Sequence, residues 1–352
     1  MKKLLQKWIG RLPGFSFIAI MLPLLLFPLI AIGHHSVAEY DRNNVLELEG
    51  EILRVHWNNP HVGFTMAVVN ADGSTQTWAL EAQDRNSQDR RGVPHDLLQV
   101  GAIVRAAGYP STRRHGFMFM TNILLPDGRE LVAEGGGQPR WSQNVIGGPQ
   151  TGDEVLDPDS DLAESADGIF RVWMRKPPPG RFPRPLPLTS SAEAARAPWN
   201  AETDDFIMRC VTPGMPFAML GVGPHPIDFT QRDGDIVIHA EYFDIIRLVH
   251  MNPAADANPP ASELGYSTGR WEGDSLVVRT TQINWPFFDR TGVPQSMSSE
   301  ILERFTPSED FTELAYDITV EDPENFTEPV TARWTWEWHP ELEVEPYECI
   351  PG

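Results

Sequence analysis

The stretch Gly265-Tyr266-Ser267-Thr268-Gly269-Arg270-Trp271-Glu272-Gly273-Asp274-Ser275-Leu276-Val277-Val278 places two strand-like runs either side of a tight turn. Trp271 to Leu276 reads as a hairpin, with Gly273 supplying a backbone conformation that other residues resist. Working outward, Ile227 to Thr230, Asp235 to Tyr242, Ile245 to His250, Ser267 to Trp271, Leu276 to Thr281, Glu300 to Phe305, Glu313 to Val320 and Val330 to Trp338 all read as short strands. Such a run of adjacent antiparallel candidates fits an up-and-down barrel or a sandwich, and a barrel or strongly curved sheet is the expectation. No period of about 20 to 50 residues repeats, which argues against a propeller or solenoid. Closer to the amino terminus, Val45 to Trp57, His61 to Val69, Thr75 to Glu81, Ala102 to Tyr109 and Phe117 to Leu125 give five more strands. Pro94, Asp96, Leu97, Leu98 and Val100 suit one short helix over Arg90 to Val100, ended by Gly101. A helix between the third and fourth of five strands is the order of the oligonucleotide/oligosaccharide-binding (OB) barrel. The fold class expected is therefore all-β: a small OB-like barrel followed by an antiparallel up-and-down barrel or curved sheet.

The 352 residues carry 49 acidic and 28 basic side chains, a net charge of −21. That balance argues against a nucleic-acid partner, which needs clustered Lys and Arg. Lys2, Lys3, Lys7 and Arg11 precede an apolar run from Phe15 to Ile32, and Ala31 with Gly33 make a small-x-small cleavage pattern before His34. Residues 1–33 read as an export signal or, if uncleaved, as a membrane anchor. Then follow an OB-like domain over 34–135, an acidic Gly/Pro linker over 136–166, a Pro-rich arm over 167–205 and an antiparallel β domain over 206–352. The expected location is exported, periplasmic or envelope-associated, and there the pair Cys210 and Cys349 is expected to form a disulfide. Its loop of about 140 residues would be worth about 5 kcal/mol on the chain-entropy model.

The nucleotide-binding Gly-rich loops, the nucleophile elbow and the zinc-protease helix are missing as motifs. Gly265-x-Ser267-x-Gly269 matches the elbow in letters but has a strand and hairpin after it instead of a helix. Three groups of residues carry the functional expectations. His34, exposed by cleavage, and His61 could hold copper through the terminal amine and two imidazoles, with His35, His56 or His115 as substitutes; nitrogen ligands suit Cu(II). His239, Glu241 and Asp274 could do acid/base chemistry, His239, Glu241 and Phe243 sharing one strand face by alternation; charge pairing at a sheet end is the alternative. Trp334, Trp336 and Trp338 share a strand face and, with Trp271 and Arg247, could wall a cavity for a small apolar molecule; plain core packing is again the alternative. A binding protein is the first reading. The others are a cofactor-free isomerase, cyclase or hydrolase, and an envelope interaction protein whose amino barrel docks a partner.

His34-His35-Ser36, Tyr40-Asp41, Leu48 to Gly50, Val55-His56-Trp57-Asn58-Asn59-Pro60-His61-Val62 and Pro126-Asp127-Gly128-Arg129 resemble an exported bacterial domain family of unknown function. The Gly265 to Val278 stretch, Asp289-Arg290, Glu303-Arg304-Phe305 and Glu321-Asp322-Pro323 are similar to a β-rich module of exported bacterial proteins, also without an established activity. Both resemblances imply export and a β fold, and neither implies a reaction. One departure is Asn252-Pro253, where such modules often carry Asp-Gly after the strand.

Overall fold

The computed structural model describes residues 40–147, 168–176, 182–220, 223–253 and 259–351. The first barrel is built from β1 (Leu46–Trp57), β2 (Val62–Val69), β3 (Thr75–Glu81), β4 (Ile103–Pro110) and β5 (Phe117–Leu124). β1 lies between β2 and β4, and a parallel pairing of β3 with β5 closes the ring. This is the expected OB-like closure. Alternation turns Ile52, Phe64, Met66, Leu80, Val104, Met118 and Met120 into one core. β6 (Glu130–Val132) and β7 (Val145–Ile146) extend the sheet beyond β5.

The helix between β3 and β4 lies earlier than expected. α1 spans Arg85–Arg90, because the Asp84 carboxylate accepts from the Ser87 N–H and fixes the start there. Gly92, at φ +70°, follows its end, and Pro94 cannot donate to a continuing helix. Val93 and Leu98 are nonetheless buried, so the apolar spacing over 90–100 reported burial without a helix.

The second barrel has nine strands in chain order: β8 (Val172–Arg175), β9 (Ile227–Arg232), β10 (Asp235–Ala240), β11 (Ile245–His250), β12 (Tyr266–Glu272), β13 (Ser275–Thr281), β14 (Glu300–Pro307), β15 (Glu313–Glu321) and β16 (Val330–Trp338). The eight expected runs are β9 to β16. The ninth, β8, comes from the segment read as an arm, and it closes the ring by pairing with β16 on one side and β9 on the other. An odd ring cannot alternate direction throughout, and the single parallel junction falls at β11 and β12. Between β8 and β9 lie α2 (Ser190–Arg196), α3 (Ala201–Asp204) and α4 (Phe217–Leu220). In the β12–β13 hairpin, Glu272 pairs with Ser275 and Gly273 has φ +63°.

β10 stops at Ala240, two residues short of the expected end. The chain turns there through Phe243 at φ 61° and Asp244 at φ 51°, so Glu241 leaves the strand and the shared face predicted for His239, Glu241 and Phe243 does not exist. Cys210 and Cys349 are bonded, with Cα atoms 5.6 Å apart. The bond holds a closing segment, residues 339–351, which also reaches the first barrel: Ile350 N–H donates to the Asn59 carbonyl and Asn86 Nδ2 to the Pro346 carbonyl. Among the described residues no helix is long and apolar enough to cross a membrane.

Candidate functional site

The inward positions of the nine strands bring charged and aromatic side chains together. Arg247 of β11 sits between Ile245 and Val249, and Glu303 of β14 between Ile301 and Phe305, all buried. Arg247 Nη1 donates to Glu303 Oε1 at 2.8 Å, Nη2 to Thr280 Oγ1 at 2.7 Å and to Glu303 Oε2, and Nε to Ser267 Oγ at 3.0 Å. Tyr316 of β15 donates to Glu303 Oε1 at 2.7 Å. Burial alone would lower the Arg247 pKa, but the facing carboxylate outweighs it and holds the guanidinium above its usual value. The Tyr316 phenol is pushed well up by burial and by Glu303. Ser267 is thus part of the guanidinium's cradle, its hydroxyl bonded to Arg247 and Thr280.

Tyr316 links this cluster to the tryptophans, with ring centroids 4.6 Å from Trp334 and 5.0 Å from Trp336; Trp336 also stacks on Phe305 at 6.0 Å. Trp338 lies under the Arg171 guanidinium at 4.2 Å. A second arginine, Arg175 of β8, lies 4.6 Å over the Trp334 ring, and its Nη2 donates to the Leu220 carbonyl at the end of α4, 2.9 Å away. Burial lowers the Arg175 pKa to about 10. The buried atoms Trp334 Nε1, Trp336 Nε1 and Arg175 Nε have no acceptor among the described residues.

Of the ligand-wall residues, Arg247, Trp334, Trp336 and Trp338 therefore meet in this interior. Trp271 does not: it is exposed on the outside of β12, edge-on to Phe170 at 6.3 Å. The three acid/base candidates are not brought together. His239 faces outward on β10 with Nδ1 3.9 Å from Asp228 Oδ1, and Asp274 is exposed at the hairpin tip. Glu241 is wholly buried between the two barrels. There its carboxylate takes both Arg90 contacts at 2.6 and 2.8 Å, His225 Nδ1 at 2.9 Å and the Glu345 N–H at 3.2 Å. His225 Nε2 lies 3.5 Å from Asp84 Oδ2. Burial pushes the Glu241 pKa up, while His225 and Arg90 outweigh it and bring it below the usual carboxylate range. With every oxygen occupied, this group fastens the barrels together.

On the first barrel, His61 Nδ1 lies 3.5 Å from Glu81 Oε2, and Tyr40 donates to Glu81 Oε1 at 2.7 Å. Burial would raise the Glu81 pKa, but His61, Tyr40 and Arg114 bring it down to about 2. Gly63 makes room here: a Cβ on it would collide with the Leu80 carbonyl and lie 2.8 Å from His56 Nε2. His34 and His35 fall outside the described residues, and among the described residues no group of three or more His, Cys, Asp or Glu is arranged to hold a metal.

The sequence reading missed Glu303, Tyr316, Arg175, His225 and Arg90 as site residues. For Glu303 a signal existed: like Arg247, it is a charge on a strand whose neighbours two residues away are apolar, and opposite charges in that position on two strands foretell a buried pair. For Arg90 there is none, since Glu241 is 151 residues away in the chain, and His225, 16 residues from Glu241, lies outside any strand where alternation could place it.

Fold and site define an all-β protein of two closed barrels, the larger with a charged and aromatic interior. Residues 24–118 match the model of a Family of unknown function (DUF6152), a span that takes in β1 to β4 and the start of β5. No curated protein matches the chain.

Proposed function

We propose that this is an exported binding protein whose nine-stranded barrel holds a small, largely apolar molecule against Trp334 and Trp336. The observation that carries the reading is the pair of indole N–H groups without acceptors among the described residues, in an interior where the Arg247, Glu303 and Tyr316 polar atoms are engaged. A buried donor without an acceptor costs about 1–3 kcal/mol, so a ligand bearing an acceptor gains there what the empty protein forgoes. An enzyme using His239, Glu241 and Asp274 is the weaker reading, because the three lie apart and Glu241 is spent on the contact between barrels. The disulfide fits an oxidising compartment, which supports export.

Titration of the purified protein with the neutral probe N-phenyl-1-naphthylamine tests the proposal. Saturable, stoichiometric quenching of Trp emission is expected, with binding weakened in Trp334→Phe and Trp336→Phe, which keep an aromatic ring and lose the N–H. Linear, unsaturable uptake that is equal in wild type and both variants would overturn it.

A further inference from the structure

We infer that the ligand of the nine-stranded barrel carries a carboxylate head, received by Arg175 together with the Trp334 and Trp336 N–H groups. This rests on the binding reading above and names the class of molecule. Arg247 on β11 and Arg175 on β8 offer an internal comparison. Arg247 spends its guanidinium on Glu303, Ser267 and Thr280. Among the described residues Arg175 has one acceptor, the Leu220 carbonyl, its Nε is shut off from solvent without a partner, and no carboxylate faces it. In a chain with 49 acidic side chains, that bare cation is conspicuous.

Arg175 is half-buried, and a charge held partly away from water is costly to leave unpaired and is commonly met by an opposite charge. The charge that suits Arg175 is set by its surroundings. The Trp334 ring covers one face of the guanidinium at 4.6 Å, which leaves its edge as the place to bind. Planar carboxylates pair with that edge through two parallel hydrogen bonds. Arg175 and Trp336 are register partners across β8 and β16, and cross-strand partners share a face, so the Trp336 N–H belongs to the same patch. One cation with two neutral donors balances a monoanion; a phosphate dianion would leave a buried negative charge uncompensated. The apolar body of the molecule would then lie along the Trp334, Trp336, Trp338 stripe.

Two matched pairs, decanoate with decanol and 2-naphthoate with 2-naphthol, separate head from body when titrated into wild type and Arg175→Met with Trp emission as readout. In wild type each carboxylate should bind about tenfold to a hundredfold tighter than its neutral partner, the range expected for charged hydrogen bonds. Arg175→Met should abolish the preference while the neutral compounds keep their affinity, and Arg175→Lys should keep only part of it. If neither carboxylate exceeds its partner in wild type, the inference is overturned while the binding reading stands. If the naphthylamine probe and all four compounds fail together, the binding reading itself is overturned. Should Arg175→Met not fold, the wild-type ratios decide the question alone.

Discussion

The two barrels close their rings by the same backbone rules and fill them differently. The buried inward residues of β1 to β4 in the five-stranded barrel are all apolar, led by Ile52, Phe64, Met66, Leu80 and Val104. The nine-stranded barrel encloses Arg247, Glu303, Tyr316, Thr280 and Ser267 among its rings. Strand number explains the contrast, because a barrel's bore widens as strands are added. Five strands leave space that aliphatic side chains fill, whereas nine leave a bore that needs indoles and long charged side chains. The small barrel therefore presents its polar groups outward, as at Glu81, and through α1, as at Arg90. The wide barrel is where charged and aromatic side chains share one interior.

The largest expected effect separates the barrels by their covalent tie. Replacing Cys210 and Cys349 with Ser should cost the second barrel about 5 kcal/mol, the chain-entropy value for so long a loop, and leave the first barrel's transition where it was. Urea unfolding followed by Trp emission, oxidised against double variant, checks this; coincident curves would mean that the closing segment is held by hydrogen bonds and packing alone.

Next comes the difference in core chemistry. Glu303→Leu should destabilise by about 3–5 kcal/mol by stranding the Arg247 charge, and adding Arg247→Met should recover most of that loss. Phe64→Ala in the small barrel should cost a similar about 3–5 kcal/mol through a cavity, with no partner substitution to restore it. Thermal or urea melts of the three variants suffice, and a double variant no better than Glu303→Leu would break the contrast.

The smallest effect is one of pH. Glu81 falls from an ordinary 4.5 to about 2 on folding. Its stabilisation is thus complete above about pH 4.5 and is lost as pH falls toward 2. Glu81→Gln should lose about 2–3 kcal/mol at pH 7 and flatten the first barrel's stability between those limits. Glu241, also lowered, acts with the same sign between the barrels. Parallel melts from pH 7 to pH 3 test the sign, and an unchanged slope in the variant would refute it.

Much of the fold was legible because strand alternation is local. Ile227 to Trp338 announced eight strands, and the cysteines announced their bond through compartment and count. What escaped depends on partners distant in the chain. β8 is a short strand, Val172–Arg175, beside a Pro-rich segment, and only the ring's need for closure makes it one. Alternation puts Glu241 on the His239 face only if β10 runs past Ala240, and it does not, because Phe243 and Asp244 take left-handed backbone angles. Arg247 and the Trp stripe point to the interior from their own strands, and the apolar neighbours of Glu303 mark it as a second interior charge; that the two meet is decided by the order of β11 to β14 around the ring.

The disulfide also imposes an order of events during biosynthesis. Cys349 is made 139 residues after Cys210, and everything from β9 to β16 is synthesised in the interval. Glu345, which donates to the Glu241 carboxylate, belongs to the same late stretch. The first barrel contains all the strands of its own ring and can mature while the rest is still being made. The second can gather its strands but stays unfastened, with Cys210 an open thiol, until the closing segment arrives. The sequence thereby carries its own timetable, in which the molecule is fastened only once both barrels exist to be joined.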